Sequence, residues 1–362
     1  MINNIILTGG RLKVYNMLKS SMVRLLKIFL VIFIVFISYS YFIKLTPQDQ
    51  FSKIIPQQKT TPFEFQEMTI PYLRNREYKS KLRELTKYSE NTNYTSYLTS
   101  YDSDGFNVNG FLTVPNNGKN KNPAIVFVHG YIAPTTYSTT ERYADHVDYL
   151  ARSEYVVFKI DLRGHGNSEG EAGGSYYSGD YVIDTLNAYE ALKNTDFVDS
   201  EKIGLWGHSM AGNVTFRSFM AKEEIPAIAV WAGAGFTYQD LLDYRISDMS
   251  YRSPNQSTER AKKRQRLREL YGEFNKDNDF WKQVVATNYL EGKTGALALF
   301  HAVDDAVVSV EYSRNLNKIL GGSEINHLFY EYPNGGHNIT GLEFTKAMSD
   351  TVAFYDKYLK NI

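Results

Sequence analysis

The chain contains no cysteine in its 362 residues. That absence excludes disulfide bonds, thiolate metal sites and a cysteine nucleophile. An excess of basic residues is also missing, since 40 Lys and Arg residues balance 40 Asp and Glu residues. Nucleic-acid-binding proteins usually carry such an excess, so the charge balance argues against a nucleic-acid partner. With 43% hydrophobic and 22% charged residues, the composition is that of a globular protein.

One long hydrophobic run stands near the N-terminus. Residues 25–43 contain a single charge, Lys27, and as a helix they would span about 28 Å, close to the roughly 30 Å core of a bilayer. Residues 1–24 carry four basic side chains and no acidic one. The positive-inside rule therefore predicts a cytoplasmic N-terminus at 1–24, a single-pass anchor in the cell membrane at 25–43 and an extracytoplasmic remainder. A signal peptide cleaved near 38–40 and a buried core helix are the alternatives.

Residues 44–92 are predicted to form a linker and an N-terminal extension. Residues 44–62 are polar and contain three prolines, which is typical of a linker. The pattern around 78–90 favours a helix. The catalytic domain is then expected to occupy 93–362.

Residues 93–362 alternate apolar runs with helical patterns. Runs that are apolar throughout indicate strands buried on both faces, as in a parallel sheet. We predict an α/β fold with a mostly parallel central sheet and helices on both faces. The predicted strands are 94–103, 106–115, 124–130, 155–164, 202–209, 227–233, 296–302 and 327–333, and the predicted helices are 139–152, 180–193, 210–222, 309–320 and 342–359.

Residues from about 236 to 294 interrupt this alternation. Long connections in compact domains usually have their own structure and often a function. The segment contains helical patterns and an aromatic pair, Phe280 and Trp281. We expect it to form a helical lid insertion over the carboxyl edge of the sheet.

The sequence Gly-His-Ser-Met-Ala-Gly at 207–212 joins a predicted strand to a predicted helix. A serine on such a sharp turn is held exposed above a sheet, and the usual G-x-S-x-G pattern supplies small neighbours for it. Here Ala211 takes the place of the second glycine. Ser209 is therefore the candidate nucleophile, and the backbone N–H groups of Met210 and Tyr131 are the candidate oxyanion-hole donors.

A serine hydroxyl needs a general base, and the base needs an orienting acid. Nucleophiles on a turn of this kind are followed along the chain by the acid and then by the histidine. His337 lies in a glycine-rich loop after the last predicted strand and is the candidate base, whereas the other six histidines are interpreted as structural. Asp304 and Asp305 directly follow the seventh predicted strand, and both are candidates for the acid. Asp240 and Asp243 are remoter alternatives.

Two further segments combine charged and polar residues. The glycine-rich loop at 161–168 is interpreted as a structurally required turn, with substrate contact as the alternative. The basic run at 260–268 is interpreted as a solvated helix face, and attraction to an anionic membrane surface or to an acidic substrate is the alternative.

A series of short motifs extends over most of the chain. They are YDSDG (101–105), GFLTVP (110–115), HG (129–130), DLRGHGNSEG (161–170), LWGHSMAG (205–212), FW (280–281), HAVDDAVV (301–308) and GGH (335–337). Over about residues 70–360 the sequence resembles the α/β-hydrolase superfamily, and within it the stand-alone catalytic domains of prolyl oligopeptidase type, similar to dipeptidyl and acylaminoacyl peptidases. In such relatives a motif like H-G-x-x-D-x-x-V carries the acid, and on this sequence it selects Asp305. Ala302 and Ala211 stand where glycine is frequent.

The resemblance implies an α/β-hydrolase fold and hydrolysis of peptides, amides or esters through an acyl-enzyme, without a metal or another cofactor. We predict a membrane-anchored serine hydrolase with a small-molecule or peptide substrate. Ser209 attacks, His337 transfers the proton and Asp305 orients His337. A peptidase is the first interpretation. The second is a carboxylesterase or lipase that acts on acyl esters near the membrane, and the third is a non-catalytic binding domain.

Overall fold

The computed structural model describes residues 62–173, 175–247 and 259–362, together with residue 33. Residues Phe63–Ile362 form a compact unit. The predicted cytoplasmic segment at 1–24 lies outside the described residues, and so does the predicted anchor at 25–43, apart from residue 33. No helix within the described residues combines the length and the apolar character needed to cross a membrane.

A nine-stranded sheet forms the centre of the described structure. Its strands are β1 (Thr86–Glu90), β2 (Tyr94–Ser103), β3 (Phe106–Pro115), β4 (Asn122–Val128), β5 (Val156–Ile160), β6 (Val198–His208), β7 (Ala227–Trp231), β8 (Ala296–Ala302) and β9 (Asn326–Tyr332). They lie in the order β1-β2-β3-β5-β4-β6-β7-β8-β9. The neighbouring pairs β1–β2, β2–β3 and β3–β5 are antiparallel. The other five neighbouring pairs, from β5–β4 to β8–β9, are parallel. The predicted, mostly parallel sheet is confirmed.

The apolar runs lie in the middle of this sheet because each of their faces packs against a separate core. In β4, Ala124, Val126 and Val128 join the core on one face, while Ile125 and Phe127 join the core on the other. Side chains alternate between the faces of a strand, so a strand with two covered faces has to be apolar at every position.

Helices pack on both faces of the sheet and contribute side chains to both cores. The α-helices of the described residues are α1 (Ile70–Asn75), α2 (Ala144–Arg152), α3 (Asp180–Lys193), α4 (Met210–Ala221), α5 (Gln239–Asp243), α6 (Glu259–Tyr271), α7 (Asp279–Val284), α8 (Glu311–Leu320) and α9 (Leu342–Tyr355). α3, α4 and α8 contribute to one core, and α2 and α9 contribute to the other. α5, α6 and α7 lie between β7 and β8, so the predicted insertion is helical in its described part.

The helix predicted around residues 78–90 is wrong. The helix of this region lies earlier, at Ile70–Asn75, and residues Thr86–Glu90 form the edge strand β1, in which every side chain is exposed. Lysine and glutamate give the segment helical propensity, but pairing with β2 supplies backbone hydrogen bonds along its length. Propensity is a weak preference that tertiary contacts often override.

The described part of the predicted linker and extension at 44–92 packs with the rest of the chain. Met68, Ile70 and Leu73 are fully buried. The Arg217 side chain on α4 donates to the Met68 carbonyl oxygen at 2.7 Å. Residues 63–92 therefore belong to the same compact unit as the sheet, because their apolar side chains are removed from water against it.

The glycine-rich loop at 161–168 is held by a buried ion pair. The Arg163 side chain donates to the carboxylate of Asp184 at 2.6 and 3.0 Å, and the Arg163 N–H donates to the same carboxylate at 3.0 Å. The Ser103 hydroxyl donates to Asp184 at 2.6 Å. The Asp161 carboxylate accepts from two hydroxyl groups of the loop that follows β4. These contacts favour the interpretation of the loop as a structurally required turn.

Replacement of Asp184 by alanine is expected to lower the free energy of unfolding by about 3 kcal/mol, because it leaves a buried guanidinium without its main partner. The measurement is urea denaturation of both proteins. Lys119→Ala is the matched control, since it removes an exposed ion pair with Glu154 and should cost less than about 1 kcal/mol. Equal losses in the two variants would show that the buried pair contributes nothing special.

Candidate active site

Ser209 lies on the sharp turn between β6 and α4. Its φ and ψ angles are 57° and −119°, a conformation that residues other than glycine rarely adopt. The Ser209 N–H donates to the Trp231 carbonyl oxygen at 2.8 Å, and the Ser209 carbonyl accepts from the Gly212 N–H at 2.9 Å. The first bond ties the turn to β7, and the second begins the helix. The strained serine is thus fixed from both sides.

Small neighbours are necessary for this turn. A Cβ on Gly207 would lie 2.7 Å from the Ala211 carbonyl oxygen, and a Cβ on Gly212 would lie 2.6 Å from the Cα of Gly233. Neither position leaves room for a side chain. Ala211, in place of the second glycine of the usual pattern, is fully buried in the core. The substitution is therefore compatible with the turn.

A hydrogen-bonded chain runs from Ser209 through His337 to Asp305. Nε2 of His337 lies 2.8 Å from Oγ of Ser209, and Nδ1 lies 2.8 Å from Oδ2 of Asp305. An ionised carboxylate only accepts, so Nδ1 donates and Nε2 is left to accept from the serine hydroxyl. Asp305 follows β8 and His337 follows β9, so the parallel strands bring both to the edge of the sheet where Ser209 lies.

The carboxylate of Asp305 is buried and fully hydrogen-bonded. Oδ1 accepts from the N–H groups of Val307 and Val308 at 2.8 and 2.9 Å, and Nε2 of His301 lies 3.2 Å from Oδ2. Burial favours the neutral acid, but the hydrogen bonds from His301 and His337 outweigh it and hold the pKa of Asp305 well below its usual range. Asp305 is therefore ionised at neutral pH.

The other aspartates have different contacts. Oδ1 of Asp304 accepts from the Gly336 N–H at 2.8 Å, which fixes the loop that carries His337. Asp240, the second residue of α5, accepts from the two N–H groups at 236 and 237. Asp243 accepts from the side chain at 239. Of the four candidate acids, the structure brings Asp305 to His337.

Ser209 and His337 line an open cavity of about 520 Å³. Tyr131, from the loop after β4, lines it as well. Met210 is the first residue of α4, and the first N–H groups of a helix have no partner within the helix. The assignment of Tyr131 and Met210 to the oxyanion hole stays a prediction. Among the described residues no group of three histidines and carboxylates is placed to hold a metal ion.

The insertion contributes a separate aromatic cluster. Phe280 and Trp281 on α7 are buried together with Met68, Tyr238 and Leu267. None of the described residues of the insertion lines the cavity at Ser209. The lid therefore stays a prediction. Among the described side chains of the basic run, at 261–268, most are exposed, which favours the interpretation as a solvated helix face.

A family model for serine aminopeptidases, described as "Serine aminopeptidase, S33", matches residues 119–343, which is more than half of the chain. The chain belongs to this family. The S33 match contains Ser209, Asp305 and His337, and it identifies the protein as a serine hydrolase of the α/β-hydrolase type.

Curated relatives of this S33 chain include dipeptidyl peptidase 8 of Mus musculus and of Homo sapiens. Each is 28% identical over 172 residues, covering 44% of this chain and 19% of the relative. The matched part of the chain corresponds to between 19% and 24% of the length of its curated relatives of the peptidase type.

Two solved structures confirm the α/β-hydrolase fold. The acylaminoacyl peptidase of Pyrococcus horikoshii has a TM-score of 0.58 and 21% identity, and the match covers 75% of this chain and 42% of that chain. Acetyl xylan esterase 1 of a Thermoanaerobacterium species has a TM-score of 0.55 and 17% identity, and the match covers 81% and 94%. At these identities the likeness establishes the fold alone.

Sequence reasoning missed several residues around the nucleophile of this S33 protein. Tyr143 lines the cavity and contacts His208, which was interpreted as structural. Glu141 and Asp145 line the same cavity. These residues follow β4 without a recognisable motif, and only the folding of the loop and of the start of α2 next to Ser209 brings them into the site.

Proposed function

We propose that the chain is a serine peptidase that cleaves peptide or amide bonds through an acyl-enzyme formed on Ser209. The observation that carries the proposal is the hydrogen-bonded chain from Ser209 through His337 to the ionised Asp305, open to a cavity of about 520 Å³. This is the arrangement that a weak hydroxyl nucleophile requires.

Each step follows from the orientation of His337. Nε2 accepts the proton of the Ser209 hydroxyl as Oγ attacks the substrate carbonyl carbon. The negative charge that forms on the carbonyl oxygen is stabilised by the N–H groups of Met210 and Tyr131. His337 then donates its proton to the leaving amine, and the acyl-enzyme forms. Water, deprotonated by His337, releases the acid and restores Ser209.

The lining of the cavity supports a peptide substrate with a free amino group. Glu141 and Asp145 both line the cavity and are exposed. Neither carboxylate forms an ion pair with another described residue. Arg142 lines the same cavity and offsets one of the two carboxylates, and the remaining negative charge would favour a substrate that carries a positive charge. The aminopeptidase family model and the dipeptidyl peptidase relatives support the same substrate class.

The peptidase proposal is tested with two substrates that share one acyl group, an anilide and an ester. We expect the intact protein to cleave both, because amide cleavage requires protonation of the leaving group and His337 is placed to provide it. The measurement is kcat/KM for each substrate, with Ser209→Ala as the control for background hydrolysis. Hydrolysis of the ester alone would contradict the peptidase and leave an esterase.

The second candidate is a carboxylesterase. The match to acetyl xylan esterase 1 covers 94% of that protein, so an esterase of this fold has a similar extent. Acyl esters need less help in expelling the leaving group than amides do. The hydrophobic run at 25–43 supports one form of this candidate, a lipase-like enzyme that acts at a membrane.

We also propose that residues 25–43 anchor the protein in the cell membrane, with residues 1–24 in the cytoplasm and the catalytic domain outside it. The support is the apolar run and the basic residues before it. Full-length protein is expected to sediment with membranes through a high-salt wash, and deletion of 1–43 should release it. Intact protein in the soluble fraction, with residue 1 still present, would refute the anchor.

A further inference from the structure

Three hydrogen bonds connect the loop after β4 to the loop that carries His337. The Gly130 N–H donates to the Tyr143 hydroxyl oxygen at 3.0 Å, and this oxygen lies 2.8 Å from Nδ1 of His208. Nε2 of His208 lies 2.8 Å from the His337 carbonyl oxygen. These groups take no part in the proton transfers described above. They nevertheless end on the two loops that hold the proposed base and a proposed oxyanion donor.

The carbonyl group fixes the direction of all three bonds. A carbonyl oxygen only accepts, so Nε2 of His208 carries the hydrogen and Nδ1 accepts from the Tyr143 hydroxyl. Burial and the neighbouring His337 hold the pKa of His208 well below its usual range, which keeps the ring neutral. Hydrogen bonds that run in one direction polarise one another.

Both side chains are held in place by their surroundings. The Tyr143 ring packs edge-on against Phe127 and Trp206, with centroids 5.4 and 5.8 Å apart, and His208 is 4% exposed. A Cβ on Gly130 would lie 2.9 Å from the Tyr143 hydroxyl and 3.1 Å from Nδ1 of His208. Glycine at this position therefore allows the tyrosine to reach the main chain.

Hydrogen bonds hold the main chain on both sides of the Gly130 Cα. The Gly130 N–H is bound to Tyr143, and the Gly130 carbonyl oxygen lies 2.7 Å from Nδ1 of His129. The Gly130 carbonyl and the Tyr131 N–H belong to one planar peptide group, so the direction of this N–H depends directly on the contact with His129 and, across the Gly130 Cα, on the bond to Tyr143. At the other end of the three hydrogen bonds, His208 directly precedes Ser209 and holds the main chain of His337.

We propose that Tyr143 and His208 are positioning residues, which keep the Tyr131 N–H and the His337 ring aligned with Ser209. This inference rests on the proposed function. Its chemical content is that neither residue exchanges a proton with the substrate. Each holds the main chain of a residue that does act on it.

The first variant is Tyr143→Phe, which removes the hydroxyl and keeps the ring. Misplacement of catalytic groups by about 1 Å can cost on the order of 10²-fold, so we expect kcat to fall by about that factor while KM changes less than about twofold. Tyr94→Phe is the matched control. It removes a hydroxyl that donates to Asp148 on α2, away from the cavity, and kcat should stay at the wild-type value.

Two substitutions of His208 distinguish the hydrogen bond to Tyr143 from the hydrogen bond to His337. In His208→Asn the side-chain oxygen takes the position of the histidine Nδ1 and keeps the bond to Tyr143. In His208→Gln the side-chain NH₂ group takes the position of the histidine Nε2 and keeps the bond to His337. Each is expected to retain more activity than His208→Ala. His327→Asn, at the start of β9, is the control and should not change kcat.

The readout is the rate per active site, counted by fluorophosphonate labelling, together with the inhibition constant of a trifluoromethyl ketone that forms a tetrahedral adduct. We expect the inhibition constant to rise in parallel with the loss of kcat/KM. Wild-type rates per labelled site in all variants would overturn the inference, even if fewer sites were labelled. If wild-type protein is not labelled at Ser209, the proposed function fails, and this inference fails with it.

Discussion

Alanine at position 209 is expected to lower kcat by about 10⁶-fold, the loss seen when a serine hydrolase loses its nucleophile. The Oγ atom of Ser209 is the group that Nε2 of His337 contacts at 2.8 Å, and no covalent intermediate can form without it. KM should change little, because the cavity keeps its shape. The measurement is steady-state hydrolysis of an activated ester, with protein concentration established by absorbance and folding checked by thermal unfolding.

Ser218→Ala is the control for this experiment. Ser218 lies on the same helix, α4, is buried, and donates its hydroxyl to the Val214 carbonyl oxygen at 2.8 Å. It should retain wild-type kcat. His337→Ala should resemble Ser209→Ala, and the double variant should be no slower than either one, because the two groups act as a unit. Additive losses would indicate that the residues act independently and would contradict the shared proton transfer.

Ser209 and His337 could be predicted from the sequence because their signals are local. The turn that exposes the serine needs small residues at nearby positions, and the glycines at 207 and 212 leave no room for a Cβ. Asp304 and Asp305 were separated by the resemblance, whose motif selects Asp305, and not by any periodicity, since neighbouring residues in a loop have none. The physical difference between the two lies in long-range contacts, in which Asp304 binds Gly336 and Asp305 binds His337.

The parts of the fold that were missed depend on contacts between distant residues. Residues Thr86–Glu90 are all exposed, so β1 carries no apolar alternation that would mark it as a strand. The extension before it docks through the bond from Arg217 to the Met68 carbonyl oxygen, across 149 positions. His208 reaches the His337 carbonyl across 129 positions. Single-sequence patterns describe neighbours along the chain, and these contacts leave no trace in them.

Asp305→Asn is expected to lower kcat by about 10⁴-fold with little change in KM. The ionised carboxylate requires Nδ1 of His337 to donate, which leaves Nε2 to accept the serine proton. An asparagine at this position can turn its NH₂ group toward Nδ1. The ring then adopts the other tautomer, and Nε2 carries a hydrogen toward Ser209 where a lone pair is needed.

Asp304→Asn is the matched control, because it makes the same chemical change one residue away. Its side-chain oxygen can still accept from the Gly336 N–H, so we expect a loss of less than about tenfold. The ratio between the two variants therefore measures the tautomer requirement apart from any loosening of the loop. If Asp304→Asn were the slower variant, or if both lost activity equally, Asp305 would hold the loop without orienting His337. A loss confined to Asp305→Asn, with thermal unfolding unchanged in both proteins, would assign the orienting acid to Asp305.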